Sequence, residues 1–140
     1  MRRPDDFNAF GADYLPGAAG IVVRAVTRSP ARAEAAMPVH RGLMAPNDCL
    51  HGGAVMVLAD TTAGYGAIAC LPEGASGFLT QTMSASHLSA VRGGTVRCVA
   101  VARHLGRTTQ VWDAELVHED SGRLVALFRC TQLLLYPGAR

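Results

Sequence analysis

Apolar and polar positions change rhythm twice along this chain. From Gly20 to Arg28 the run is β-rich and partly alternating. Arg32 to Val39 alternates again, with Ala33, Ala35 and Met37 opposite Arg32, Glu34 and Ala36. Alternation of this kind marks strands with one face in a core. Ser29-Pro30 separates the two runs, which read as a hairpin, and residues 40–50, with Gly42, Pro46, Asn47 and Asp48, read as a loop. The alternation then stops. Gly52 to Leu71 is apolar or small nearly all round and ends at Pro72 and Gly74. That pattern predicts one long helix, buried on most faces. Alternation returns in Phe78–Leu88, Thr95–His104, Thr109–Val117 and Leu124–Tyr136, the last two preceded by the turns Gly106-Arg107 and Asp120-Ser121-Gly122.

The predicted order is β-β-α-β-β-β-β. This is an α+β chain in which an antiparallel sheet wraps around one central helix, the simplest way to bury such a helix on several sides. Residues 1–19, mixed and rich in Gly and Pro, read as an N-terminal arm, either loose or a short helix. Residues 20–137 read as a single domain.

Composition narrows the function classes. Of 140 residues, 49% are hydrophobic and 17% charged, enough for a core and too few charges for disorder. The basic residues are all arginine and are scattered, and the net charge is only +2, so no nucleic-acid partner is expected. No apolar run approaches ~20 residues, and no apolar segment follows Met1-Arg2-Arg3-Pro4-Asp5-Asp6. No membrane association is expected, and the expected location is cytoplasmic. Cys49, Cys70, Cys98 and Cys130 form no C-x-x-C pair; they read as small buried hydrophobes, with no metal site. Trp112 reads as core or interface packing, and His40 and His118 as surface positions.

Asp60 is the one formal charge between Gly52 and Leu71. A buried carboxylate finds partners, shifts its pKa or does chemistry. Its bland reading is a hydrogen bond to Thr61 or Thr62. His51-Gly52-Gly53 opens the same helix, where free N–H groups and the helix dipole polarise a carbonyl and stabilise an oxyanion. Gly52 and Asp60 lie eight residues apart, ~12 Å along one helix. A reacting atom must lie within about 3–3.5 Å of the group that attacks it. One copy of the helix therefore does not serve one carbonyl with both groups, whereas a two-fold dimer does, with Gly52 from one protomer and Asp60 from the other.

His51-Gly52-Gly53-(x)4-Leu58-Ala59-Asp60 resembles the H-G-G-(x)4-L-A-[DE] signature of the 4-hydroxybenzoyl-CoA thioesterase superfamily, its phenylacetate-pathway and dihydroxynaphthoyl-CoA types in particular. Ala36-Met37-Pro38-Val39, His87 and His104-Leu105-Gly106-Arg107 extend the likeness over roughly residues 20–136. The resemblance implies a hotdog fold and a thioesterase acting on a small or aromatic acyl-CoA. It implies a homodimer with shared active sites, assembled into a homotetramer. It implies no cofactor, coenzyme A being part of the substrate. By the same resemblance, Asp60 is the nucleophile or general base, the Gly52 N–H binds the thioester oxygen, and His51 supports that loop. Thr80 falls where relatives position water. His87, Gly106 and Arg107 fall along the CoA arm, and Gly53 and Gly64 join the substrate-binding set. Two departures stand out. Relatives carry Asn or Gln at the position of Ala45, for which Asn47 is the nearby substitute, and Ser or Thr at that of Gly64. A hotdog hydratase and an acyl-CoA binding module are the alternative functions.

Overall fold

The structure is a computed structural model that describes residues 2–138. The N-terminal arm carries two short helices, α1 (Pro4–Gly11) and α2 (Leu15–Ala19). Pro4 pre-sets the first turn of α1, and Asp5 and Asp6 sit at its positive end. Phe7 is fully buried, with its ring 4.9 Å from that of Tyr65. The apolar pair Phe7 and Phe10, three residues apart, was the available signal that this arm docks.

The hairpin is β1 (Val22–Arg28) and β2 (Ala31–Pro38). The long helix is α3 (Gly52–Ala69), followed by β3 (Gly77–His87), β4 (Thr95–Leu105), β5 (Thr109–His118) and β6 (Arg123–Leu135). All six strands form one antiparallel sheet in the order β1-β2-β4-β5-β6-β3, and the expected α+β architecture stands. The helix stops at Ala69, two residues short of the predicted Leu71. Cys70 leaves helical geometry, and the buried Gln110 amide donates to its carbonyl at 3.0 Å. Gln110 in turn accepts from the Trp112 indole at 2.9 Å, so a strand closes the last turn of the helix. The loop before α3 holds a short 3-10 turn, Arg41–Leu43, and a bridge between Met44 and Leu50.

Alternate residues of four strands face the helix. Met37, Cys98, Ala100, Trp112, Leu116, Phe128 and Cys130 join Val55, Leu58, Ala59, Ala63 and Ala67 in one core. Gly66 lets the sheet come close, since a Cβ there would lie 2.7 Å from the Trp112 ring. Trp112 is therefore core packing. His118 departs from its surface expectation, as its two ring nitrogens lie 2.8 and 2.9 Å from Ser121 Oγ and the Gly93 carbonyl. Cys49 is half-buried, unlike the other three cysteines, because it sits on the exposed loop that Asn47 closes. Among the described residues, no helix is long and apolar enough to cross a membrane.

The two sheet edges differ. At β1, the Asn8 side chain accepts from the Val23 N–H at 2.7 Å and donates to the Val23 carbonyl at 3.1 Å, standing in for a strand. A register shift between Val23 and Ala25 blunts that edge further. At β3 the outer edge has no strand partner among the described residues, and Leu79 and Met83 are 59% and 46% exposed.

Candidate active site

The start of α3 leaves one donor free. His51 is the N-cap, and its Nδ1 accepts from the Gly53 N–H at 2.8 Å. The Ala54 and Val55 N–H groups both donate to the His51 carbonyl, at 2.9 and 3.2 Å. Among the described residues, the Gly52 N–H has no acceptor. An accepting Nδ1 places the imidazole proton on Nε2, which stays exposed. Gly53 is needed sterically, since a Cβ there would sit 2.9 Å from His51 Nδ1. Gly52 is not, since a Cβ there would meet the His87 ring at an ordinary 3.5 Å. Gly52 borders a hollow of about 360 Å³ together with Asn47, Val55, His87 and Ser89. Asn47 spends its Oδ1 on the Cys49 N–H at 3.2 Å.

Asp60 lies two turns along, half-buried, in a separate cavity. The partner of its carboxylate is neither Thr61 nor Thr62. The Thr62 hydroxyl donates back to the Leu58 carbonyl at 2.7 Å. The Thr80 hydroxyl, from β3, donates to Asp60 Oδ1 at 2.9 Å. Burial pushes the Asp60 carboxyl above the ordinary aspartate range, and the Thr80 hydrogen bond holds back part of that rise. The cavity measures about 490 Å³ and is bordered by Asp60, Gly64, Tyr65 and Phe78, with Arg2 and Phe10 from the arm. Gly64 is where Phe78 lies on the helix, and a Cβ there would sit 2.9 Å from its ring. Arg2, Phe10 and Phe78 escaped the sequence reading because two lie in an arm and one near the start of a strand; only Phe10 carried a signal, its helical spacing from Phe7.

Gly106 and Arg107 form the turn between β4 and β5. Gly106 is required there, since a Cβ would meet His104 Nε2 at 2.5 Å and the Thr109 carbonyl at 3.0 Å. The Tyr136 hydroxyl donates to the Arg107 carbonyl and ties down the turn. His87 pairs with Ala126 of β6, whereas Thr109 pairs with Leu133. Seven residues of strand separate them, ~23 Å. Within one chain the predicted site residues thus fall into three groups. Asn47, His51, Gly52, Gly53 and His87 gather at the helix start, Asp60, Gly64 and Thr80 at its middle, and Gly106 with Arg107 at the far end of the sheet. No group of three or more His, Cys, Asp or Glu suited to a metal ion occurs among the described residues.

The sequence profile of the Thioesterase superfamily matches residues 47–125, a span that includes His51, Gly52, Asp60 and Thr80. The chain is 34% identical to ComA2 of Bacillus subtilis over 109 residues, covering 78% of this chain and 86% of that protein. It is 36% identical to the 1,4-dihydroxy-2-naphthoyl-CoA hydrolase of Escherichia coli over 102 residues, covering 73% and 74% of the two. The crystal structure of a mutant thioesterase from Pseudomonas aeruginosa superposes with a TM-score of 0.90 at 32% identity, covering 97% of this chain and 96% of that one. By this profile match and these relatives, the chain belongs to the thioesterase superfamily, and it is a hotdog-fold thioester hydrolase.

Proposed function

We propose that the protein hydrolyses small or aromatic acyl-CoA thioesters at two sites shared across a homodimer. The observation that carries this reading is the Asp60 carboxylate, held by Thr80 on one oxygen and facing a cavity of acyl-group size. The thioester oxygen accepts from the Gly52 N–H, which stabilises the negative charge that develops there. Asp60 then serves in one of two ways. As general base it takes a proton from water while the hydroxyl oxygen bonds to the carbonyl carbon. As nucleophile it bonds to that carbon itself, giving a mixed anhydride that water cleaves. In both, the C–S bond breaks, the sulfur leaves with the bonding pair and gains a proton, and the products are a carboxylate and free coenzyme A. Label found in Asp60 after single-turnover hydrolysis in ¹⁸O-water identifies the anhydride route, with water attacking the Asp60 carbon.

The dimer follows from what one chain keeps apart. Pairing two open β3 edges antiparallel about a two-fold axis sets the His87 end of one strand beside the Gly77 end of the other. The same operation runs the two α3 helices in opposite directions, so the helix start of one copy approaches Asp60 of its mate. It also sets Arg107 of one copy near the His87 of the other, where the CoA arm leaves the Gly52 hollow and a guanidinium meets its phosphates. Asn47 and Gly53 border the thioester. One symmetry operation thus joins two separated pairs. Assembly of such dimers into a tetramer through the outer sheet face belongs to the same proposal.

Asp60→Asn is the direct test. Free-thiol release from short, long and aromatic CoA esters falls at least ~100-fold in kcat/KM. Unchanged turnover would remove Asp60 from the reaction and leave an acyl-CoA binding module.

A further inference from the structure

Resting on that reading of the site, we propose that the N-terminal arm sets acyl specificity. Phe10 is the wall that limits size, and Arg2 recognises an acceptor oxygen at the far end of a planar acyl group.

The cavity that holds Asp60 is not closed by the sheet and helix alone. Arg2, Phe10 and Pro16 complete it. Aromatic rings make up much of its wall. Phe78 lies against the bare backbone of Gly64, and the Phe10 and Tyr65 rings have centroids 6.4 Å apart with planes at 59°. A cavity of ~150 Å³ lined by apolar side chains holds one benzene. About 490 Å³, open toward Asp60, has room for one ring with a substituent.

The arm is placed to do this. Phe7 anchors α1 at 1% exposure, while Phe10, one turn on, stays 54% exposed at the cavity. A Cβ on Gly11 would lie 2.5 Å from the Tyr65 hydroxyl, so α1 packs against a side chain of the helix that carries Asp60. A docked helix that keeps a phenylalanine half-bare over a cavity presents it to an apolar ligand.

Arg2 supplies the chemistry. Its guanidinium lies over the Phe10 ring, 5.3 Å from the centroid, and has no carboxylate within ion-pair distance among the described residues. A guanidinium stacked on an aromatic wall keeps its N–H fork free for a planar acceptor. The cavity therefore suits a ring whose distal atom is a carboxylate or ring oxygen better than one ending in a methyl group.

The test uses non-hydrolysable thioether analogues of CoA carrying benzoyl-, 2-naphthoyl-, 4-carboxybenzoyl- and 4-methylbenzoyl-like groups, with binding measured by calorimetry on the full chain. Phe10→Ala, which leaves the Phe7 anchor in place, raises the affinity ratio of naphthoyl to benzoyl analogue at least ~10-fold. Arg2→Gln lowers the ratio of 4-carboxybenzoyl to 4-methylbenzoyl analogue by about fivefold. A naphthoyl ratio unmoved by Phe10→Ala, or a carboxyl ratio unmoved by Arg2→Gln, overturns the proposal. Turnover of the matching CoA esters reads the catalytic proposal separately. Wild-type protein that binds with these ratios and hydrolyses none of the esters refutes the hydrolase mechanism and leaves the specificity wall standing.

Discussion

A single hydroxyl partners the Asp60 carboxylate. The Thr80 hydrogen bond favours the charged carboxylate of Asp60, while burial disfavours it more strongly. Removing the hydroxyl leaves burial unopposed, so in Thr80→Val the carboxyl titrates higher still. If Asp60 acts as the carboxylate in the proposed reaction, the acid limb of kcat/KM against pH moves to higher pH in Thr80→Val. A pH–rate profile of the two proteins checks this, and an unmoved limb would detach Thr80 from the chemistry. The neighbouring Cys130 thiol does not blur the limb, since burial and then the Asp60 charge push it up to about 12. Stability runs the other way. A carboxyl raised above its unfolded value favours the fold when protonated, and that contribution is lost as pH rises from ~4 through the folded value. At neutral pH the Asp60 charge therefore opposes folding. Asp60→Asn, nearly isosteric and uncharged, should raise Tm at pH 7 while abolishing turnover; a lower Tm would contradict the burial argument.

At the scale of elements, the helix–sheet contact depends on bare backbone. Gly66→Ala gains helix propensity of up to ~1 kcal/mol, but its methyl group enters the Trp112 ring, which is fully buried. Overpacking of that kind costs about 1–3 kcal/mol, so a net loss of Tm is expected in thermal unfolding. This contact was invisible in the sequence, where nothing marks Gly66 for contact with Trp112. The structure uses Gly66 to admit Trp112 and Gly64 to admit Phe78. The elements themselves were legible because their periodicities differ. Alternating Val96, Cys98 and Ala100 announce a strand facing a core, and the all-round apolar run from Ala54 to Ala69 announces a buried helix. The site was legible in part. His51-Gly52-Gly53 and Asp60 stand out because glycines and a lone charge are anomalous on a buried helix. Thr80 could be named only by resemblance, since its bond to Asp60 depends on strand register. Arg2 and Phe10 carry no local anomaly, and only the docking of α1 brings them to the cavity.

At the scale of the molecule, the sharing of sites is open to a test that one chain alone fails. Gly52 is the first helical residue of α3, where proline is well tolerated. Gly52→Pro removes the free N–H and little else, so we expect turnover to fall ~10²–10³-fold without loss of the fold. Asp60→Asn removes the carboxylate. Each homodimer is then dead at both sites. In a mixed dimer, the Asp60→Asn chain still offers its Gly52 N–H, and the Gly52→Pro chain still offers its Asp60. If the two groups of a site come from different chains, one site of each mixed dimer is whole. Unfolding and refolding an equal mixture makes half the dimers mixed, so activity returns to about a quarter of wild type for an isologous pair. If both groups of a site came from one chain, every site would lack one of them and no activity would return. The separation along α3, ~12 Å, is what makes the first outcome the expected one. Sedimentation of the refolded mixture as dimers, or as assemblies of dimers, must accompany the recovery. No recovery in a mixture that sediments as dimers would refute the shared site.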